Sequence, residues 1–317
     1  MGVARRIVSA REPSERVLHV LTGCTAVGKT EWALRWAEAH SAEIISCDSL
    51  LFYRGMDIGT AKPTQAELGR VPHHLLDIRE VSEPMNAALY ATLALRVAEE
   101  IWGRGRSVLV VGGSGFYLKT YFAPVADGRT VPPEVRFRVA GLLERDGLPA
   151  LVQELLRLNP GGLGDLDTDN PRRIARALER CLASGRTLAE LSSEFARVRP
   201  AFAGWEVRLT RLDRSRPDLE ARIGARVDAM LSAGLVAEVT RLSKSGLRSN
   251  PSAARAIGYR ETLEVLEGRL PMADLREAIA RDTLALVKKQ RTWFRTQLPP
   301  HAVLEAAELK DEALLFP

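Results

Sequence analysis

The segment Gly23-Cys24-Thr25-Ala26-Val27-Gly28-Lys29-Thr30 carries the spacing G-x-x-x-x-G-K-[ST]. In that pattern glycines let the backbone curl until successive N–H groups point inward, and the following helix adds the positive end of its dipole. Lys29 then reaches terminal phosphate oxygens, and Thr30 offers a hydroxyl to Mg2+. A tight turn with a chance lysine is the bland alternative. The apolar run before the loop and the helical spacing after it argue against that, so the chain is expected to bind a polyphosphate.

A P-loop kinase or ATPase usually has an apolar strand ending in Asp, which helps to hold the metal. Here the run Ser107–Val111 ends in Gly112-Gly113-Ser114, without an acid. The carboxylate instead follows Glu43-Ile44-Ile45-Ser46, at Asp48. From there it can act as a general base over the phosphate pocket. As an N-cap or Asx-turn residue it would have only a local role.

These residues need elements to hold them. Val17–Thr22 reads as a strand, Lys29–His40 as a helix, 43–46 as a second strand and 107–111 as a third, with a helix from about Asn86 to Gly103 between the last two. Strands alternating with helices predict an α/β fold, a parallel sheet flanked by helices on both faces. Such sheets bind ligands at the carboxyl ends of their strands, where Gly23, Asp48 and Ser114 all fall. Pro132-Pro133 opens a helical stretch, and Glu206–Leu212 restores a strand. Residues 125–205 are therefore expected to form an inserted all-helical domain, with 17–124 and 206–317 as a P-loop-type core. Long helices run to about Gln297, and a short strand is expected near Ala302–Leu304.

Of the 317 residues, 46% are hydrophobic and 27% charged, enough apolar material for a real core and too much for disorder. No apolar run approaches the roughly 18 residues of a membrane span. Cys24, Cys47 and Cys181 lie far apart without a C-x-x-C pair, which argues against a disulfide scaffold or a zinc site and for a reducing compartment. The net charge of +5 is compatible with a nucleic-acid partner and decides nothing. Residues 1–16 contain Arg5, Arg6, Arg11 and Arg16 with no signal-peptide core, while Glu12 and Glu15 disfavour a transit peptide. A flexible N-terminus on a cytoplasmic protein is the expectation.

Beyond the phosphate loop, three groups of residues follow in order: Asp48–Pro63 (DSLLFYRGMDIGTAKP), Pro72–Ile78 (PHHLLDI), and Gly112–Tyr117 (GGSGFY). Asn170–Glu179 (NPRRIARALE), Ser184–Leu188 (SGRTL), Arg255–Arg260 (RAIGYR) and Lys288–Arg295 (KKQRTWFR) continue the set. Together they resemble the tRNA dimethylallyltransferases, also called tRNA isopentenyltransferases, over about residues 17–297. The resemblance implies transfer of a dimethylallyl group from dimethylallyl diphosphate to N6 of adenosine 37 in tRNAs that read codons starting with U. It implies Asp48 as the base beside N6. Lys29, the loop N–H groups, Mg2+ on Thr30 and Arg255 would stabilise the leaving diphosphate. Ser114 would offer a hydroxyl near the adenine. It leaves open whether ATP competes for the loop, and a monomer is expected.

The resemblance also implies an anticodon stem-loop surface. It comprises Asp48, Ser49, Leu50 and Leu51; Ser114; Arg136; Arg172, Arg173, Ile174, Ala175 and Arg176; and Arg255, Ala256, Ile257, Gly258, Tyr259 and Arg260. Four positions depart from the family habit: Ser114 stands for Thr, Cys24 for Pro, Leu51 for Gln and Leu284 for Arg. Arg281, Lys288, Arg291 and Arg295 share one helix face, which is either a phosphate surface or a solvated one. His73 and His74 read as structural histidines, Trp32 and Trp36 as a packing pair, and Cys47 as a small core residue. Rival readings are an isopentenyltransferase of free adenine nucleotides, a small-molecule kinase, and a tRNA-binding protein with a vestigial loop.

Overall fold

The computed structural model describes residues 16–316, so the expectation for 1–16 lies, Arg16 apart, outside the described residues. Six parallel strands form one sheet: β1 (Val17–Gly23), β2 (Ala42–Ser46), β3 (His73–His74), β4 (Ser107–Val111), β5 (Glu206–Asp213) and β6 (Ala302–Glu305), in the order β3-β2-β4-β1-β5-β6. Helices on both faces bury the central strands on both sides, which is why Leu18–Leu21, Ile44–Ile45 and Val108–Val110 read as apolar runs. Register aligns the strand ends, since Val111 pairs with both Leu21 and Ser46. The segments leaving β1, β2 and β4 therefore emerge side by side.

Around the sheet lie α1 (Lys29–Ala39), α2 (Gln65–Arg70), α3 (Ala87–Gly103) and the single turn α4 (Gly115–Leu118). The helical segment contains α5 (Pro133–Leu158), α6 (Pro171–Ser184) and α7 (Leu188–Phe195). After β5 come α8 (Arg216–Ser232), α9 (Leu235–Ser243), α10 (Pro251–Ala254), α11 (Tyr259–Leu266) and α12 (Leu275–Gln297). No helix among the described residues is long and apolar enough to cross a membrane.

The chain divides into two compact units, with Ala126–Arg199 forming the smaller. The expected insertion ended at 205, six residues too late. Phe202 and Trp205 are buried in the core of the larger unit, where the Phe202 ring lies 4.6 Å from that of Tyr121. Within the smaller unit α5 breaks at Gly147 (φ 76°), two residues before Pro149. Its core is built from Val139, Leu151, Leu155, Ile174, Leu178 and Leu191.

The two-residue strand β3 has no sequence signal of its own. It is fixed by pairing with β2 and by a 2.7 Å hydrogen bond between His74 Nε2 and Glu43 Oε2, an oxygen that also accepts from Arg104 Nη2 at 2.7 Å. His74 is thus tied into the sheet, and His73 Nδ1 lies 2.7 Å from the Val71 carbonyl oxygen. Trp36 packs against His40 with ring centroids 4.3 Å apart, and Cys47 is fully buried.

Candidate active site

The phosphate loop curls between β1 and α1 as its spacing predicts. Gly28 holds φ 99° at the N-terminus of α1, a left-handed conformation that a side chain disfavours. Gly112 is needed for a different reason: a Cβ there would lie 2.1 Å from the Cys47 carbonyl oxygen. That close approach brings Ser114 against the segment after β2. Ser114 Oγ accepts the Ser49 N–H at 2.9 Å and lies 3.3 Å from Ser49 Oγ.

Asp48 makes the local turn bond and also faces the cavity beside the loop. Its Oδ1 accepts the Leu50 N–H at 3.0 Å, a local turn bond that fixes the carboxylate. Its side chain also lines a cavity of about 540 Å3 shared with Thr25, Gly28, Lys29 and Thr30. This cavity meets a second, of about 700 Å3, at Thr25, Asp48, Thr60, Gly113, Arg226 and Gln290. The second is lined by Phe116, Tyr117, Trp293 and Met230, together with Arg255 and Ser114. A carboxylate and the loop thus line one cavity, which shares six residues with a second that carries aromatic walls.

Lys29 Nζ donates to the Gly23 and Cys24 carbonyls, each at 2.9 Å. Burial lowers its pKa from 10.5 to about 8, opposed by Cys24 and Asp48 and assisted by Arg226. Thr30 is exposed at the start of α1 and lines the first cavity. Among the described residues no cluster of three or more His, Cys, Asp or Glu side chains could hold a metal. A Mg2+ ion there would take one protein hydroxyl and otherwise phosphate oxygens and water, the habit of this ion.

Several residues that the sequence reading missed hold the loop. Gln290 of α12 accepts the Thr25 N–H and donates to the Gly113 carbonyl, both at 3.0 Å. Arg214 Nε donates to the Val27 carbonyl at 2.7 Å and Arg222 Nε to the Ala26 carbonyl at 2.8 Å. Arg226 Nη1 donates to Thr25 Oγ1 at 3.4 Å, and Nη2 to the Thr60 carbonyl at 3.1 Å. Glu238 clamps the 57–59 loop, accepting the N–H groups of Asp57, Ile58 and Gly59 at 3.1, 2.9 and 3.2 Å and the Tyr259 hydroxyl at 2.6 Å. None of these pairs is near in sequence. Only the match of Gln290 to the KKQRTWFR run offered a signal.

The chain resembles known proteins along most of its length. Residues 51–297 match the family model for IPP transferases. A tRNA dimethylallyltransferase from Opitutus terrae is 65% identical over 299 residues, 94% of this chain and 96% of the relative. One from Burkholderia thailandensis is 40% identical over 92% of this chain and 90% of the relative.

The chain belongs to the IPP transferase family.

Solved structures agree. The tRNA isopentenylpyrophosphate transferase of Bacillus halodurans superposes with a TM-score of 0.68 at 31% identity, covering 95% of this chain and 93% of that one. A eukaryotic dimethylallyltransferase, described as acting on tRNA, gives 0.79 at 25% identity over 92% of this chain and 74% of that one.

Within this family frame the implied RNA surface divides. Asn170 caps α6 by accepting the Arg173 N–H at 3.3 Å, and Pro171 occupies its first position. Arg172, Arg173 and Arg176 are exposed, as is Arg136 on α5. Two arginines in the first turn oppose the helix dipole, so they do not serve the helix. Ile174 is fully buried in the helical core, and Tyr259 is fully buried against Glu238. Their side chains face protein, so an RNA contact at either residue would fall to the backbone. Gly258 and Ala256 are buried as well, while Ala175 and Ile257 are half-buried. Arg260 pairs with Glu261 and Asp282. Arg180, on the α6 face with Arg172, Arg173 and Arg176, is tied to Asp127. On α12, Arg291 donates to Asp213 at 2.5 Å and also to the Arg214 carbonyl, leaving Arg281, Lys288 and Arg295 exposed.

Proposed function

We propose that this chain transfers a dimethylallyl group from dimethylallyl diphosphate to N6 of adenosine 37 in tRNAs reading codons that start with U, as a monomer in the cytoplasm. The observation that supports this reading is that the two cavities share lining residues, Asp48 among them. A diphosphate on the loop N–H groups would place its allylic tail toward the aromatic walls. An adenine entering from the Arg255 side would bring N6 toward Asp48.

In the reaction N6 attacks C1 of the allylic group and the C1–O bond breaks, its electron pair staying on the diphosphate. The N6 proton passes to the Asp48 carboxylate, whose Oδ1 already has a backbone donor while Oδ2 is free to take it. Lys29 exchanges the loop carbonyls for phosphate oxygens, and Arg255 approaches from the open side. Mg2+, held by Thr30 when bound, would neutralise part of the diphosphate charge. The target base must leave the anticodon-loop stack to reach this depth. Arg136, Arg172, Arg173 and Arg176 would hold RNA phosphates.

The kinase reading is disfavoured by β4, which ends at Val111 and continues as glycine rather than aspartate. Incubation with labelled dimethylallyl diphosphate and total tRNA, followed by mapping of the labelled nucleotide, tests the proposal. Label on N6 of adenosine 37 is the expected result. Label on free AMP alone, or phosphate released from ATP in place of diphosphate, would overturn it.

A further inference from the structure

A third cavity, of about 1180 Å3, lies between α8, α12 and the strands β5 and β6. It shares no lining residue with the other two. Leu284, Lys288 and Arg291 of α12 face it, whereas Leu286, Gln290 and Trp293 of the same helix face the cavity with aromatic walls. The proposed reaction therefore gives this third cavity no task. Its lining is of two kinds. Leu219, Leu284, Leu298, Pro299 and Val303 are apolar, while the charged residues are unevenly matched. Arg216 is tied to Glu220 at 2.7 Å. Arg211 and Arg291 share a single carboxylate: Arg211 Nη1 donates to Asp213 Oδ2 at 2.9 Å, and Arg291 Nη2 donates to Oδ1 at 2.5 Å. Two half-buried guanidiniums on one carboxylate leave a positive charge uncompensated. Arg211 Nε is buried and has no hydrogen-bond partner among the described residues.

We propose that this cavity is a binding site for a small amphiphilic phosphate, a phosphate monoester with an aliphatic tail. Its head would meet Arg211 and Arg291, which Asp213 already holds in place, so little side-chain freedom is lost on binding. A guanidinium carries five N–H donors, and the contacts to protein leave Arg211 Nη2 and Arg291 Nη1 unused among the described residues. Planar forks fixed in this way suit phosphate oxygens better than a flexible ammonium does. The tail would cover Leu284, Leu298 and Val303 and remove their apolar surface from water. An RNA backbone would satisfy the cations but has no aliphatic body for those residues. The ligand is a free molecule. The Arg211 and Asp213 side chains are each 17% exposed, a depth that a monomer enters and a headgroup packed in a bilayer does not.

The probe is hexyl phosphate, kept below the concentration at which it aggregates and titrated calorimetrically into the full-length chain. Propyl phosphate is the short-tailed comparison. Hexyl phosphate should bind at one site and about tenfold or more tighter than propyl phosphate, since each methylene buried adds roughly three- to fourfold. Arg211→Met and Leu284→Glu should each weaken hexyl phosphate binding by about tenfold or more, with pyrophosphate affinity within about twofold of wild type. Lys29→Met should leave hexyl phosphate binding unchanged, because the phosphate loop is a different site. If Arg211→Met does not fold, Leu284→Glu decides alone, its position being only half-buried. Equal affinities for the two phosphates would overturn the proposal, as would binding that is lost in Lys29→Met and kept in the other two variants. Binding only to vesicles containing phosphatidic acid would overturn it too, in favour of a membrane surface. If neither phosphate bound and tRNA affinity fell in Arg211→Met, the cavity would belong to RNA instead.

Discussion

The phosphate loop and the first turn of α6 both offer positive charge to an anion, and they are built in opposite ways. At the loop Lys29, Arg214 and Arg226 are half-buried and Arg222 is exposed. Lys29 bonds the loop's own carbonyls, and the other holders come from segments remote in sequence. Gln290 reaches Thr25 across 265 residues, and Arg214 and Arg222 reach the loop across 187 and 196. On α6 the arginines are exposed, and their partners are local. Arg173 lies 3.7 Å from Asp167, Arg176 lies 3.1 Å from Glu179, and Arg172 has no ion pair among the described residues. Stabilising charge that develops on one oxygen requires preorganised donors in a water-poor site. Holding an RNA backbone requires only charge within reach of phosphates, released from its counterions. The difference predicts which substitutions damage rate and which damage affinity.

The largest effect is expected at Asp48. Asp48→Asn should slow single-turnover transfer by about 10²–10⁴ while pyrophosphate binding stays near wild type. Transfer within a few-fold of wild type would remove Asp48 from the role of base.

Lys29 comes next. Lys29→Met should slow transfer on the order of 10²–10³ even at saturating tRNA. The pH dependence sharpens the test. With its folded pKa lowered from 10.5 to about 8, Lys29 loses its proton above that value, so pyrophosphate affinity of the wild type should fall as pH rises through 8. The same shift makes this residue's contribution to folding stability grow between about 8 and 10.5, where the unfolded chain binds the extra proton. Calorimetry across pH checks both, and a decline in affinity that persists in Lys29→Met would point to another group.

Glu238→Gln should then act through position. Its carboxylate accepts three backbone N–H groups and the Tyr259 hydroxyl, and an amide nitrogen would face at least one of those donors. A loss of about 1–3 kcal/mol in urea unfolding is expected, with a smaller loss of rate than at Asp48. Unchanged stability would mean the 57–59 loop is held by its other contacts.

The smallest effects belong to α6. Replacing Arg172, Arg173 and Arg176 with Ala should lower the log–log salt slope of tRNA binding by roughly 0.7–0.9 for each lost phosphate contact. An unchanged slope would make this face a solvated one.

The same contrast explains what could be read from residues alone. The loop after β1, the strand ends and the Asn170-Pro171 helix start are local patterns, so their place was legible. Arg226 and Glu238 sit on helices whose polar residues look like ordinary surface. Only the packing of α8 and α9 against loops some 165 to 200 residues earlier in the chain turns those residues inward. The end of the insertion was misplaced because Phe202 and Trp205 lie in a short irregular stretch with no periodicity to show which core they join. Ile174 and Tyr259 sit within runs that the resemblance assigns to RNA as wholes, whereas helical geometry turns one residue in three or four inward.

The division of labour is tested most directly by single-turnover transfer measured against tRNA concentration, with the Arg172/Arg173/Arg176 triple Ala variant beside Asp48→Asn. The triple variant should need more tRNA yet reach the wild-type rate at saturation, while Asp48→Asn should saturate at wild-type tRNA concentrations and remain slow. A triple variant that stays slow at saturating tRNA would contradict the account, because α6 would then be shaping the reaction itself.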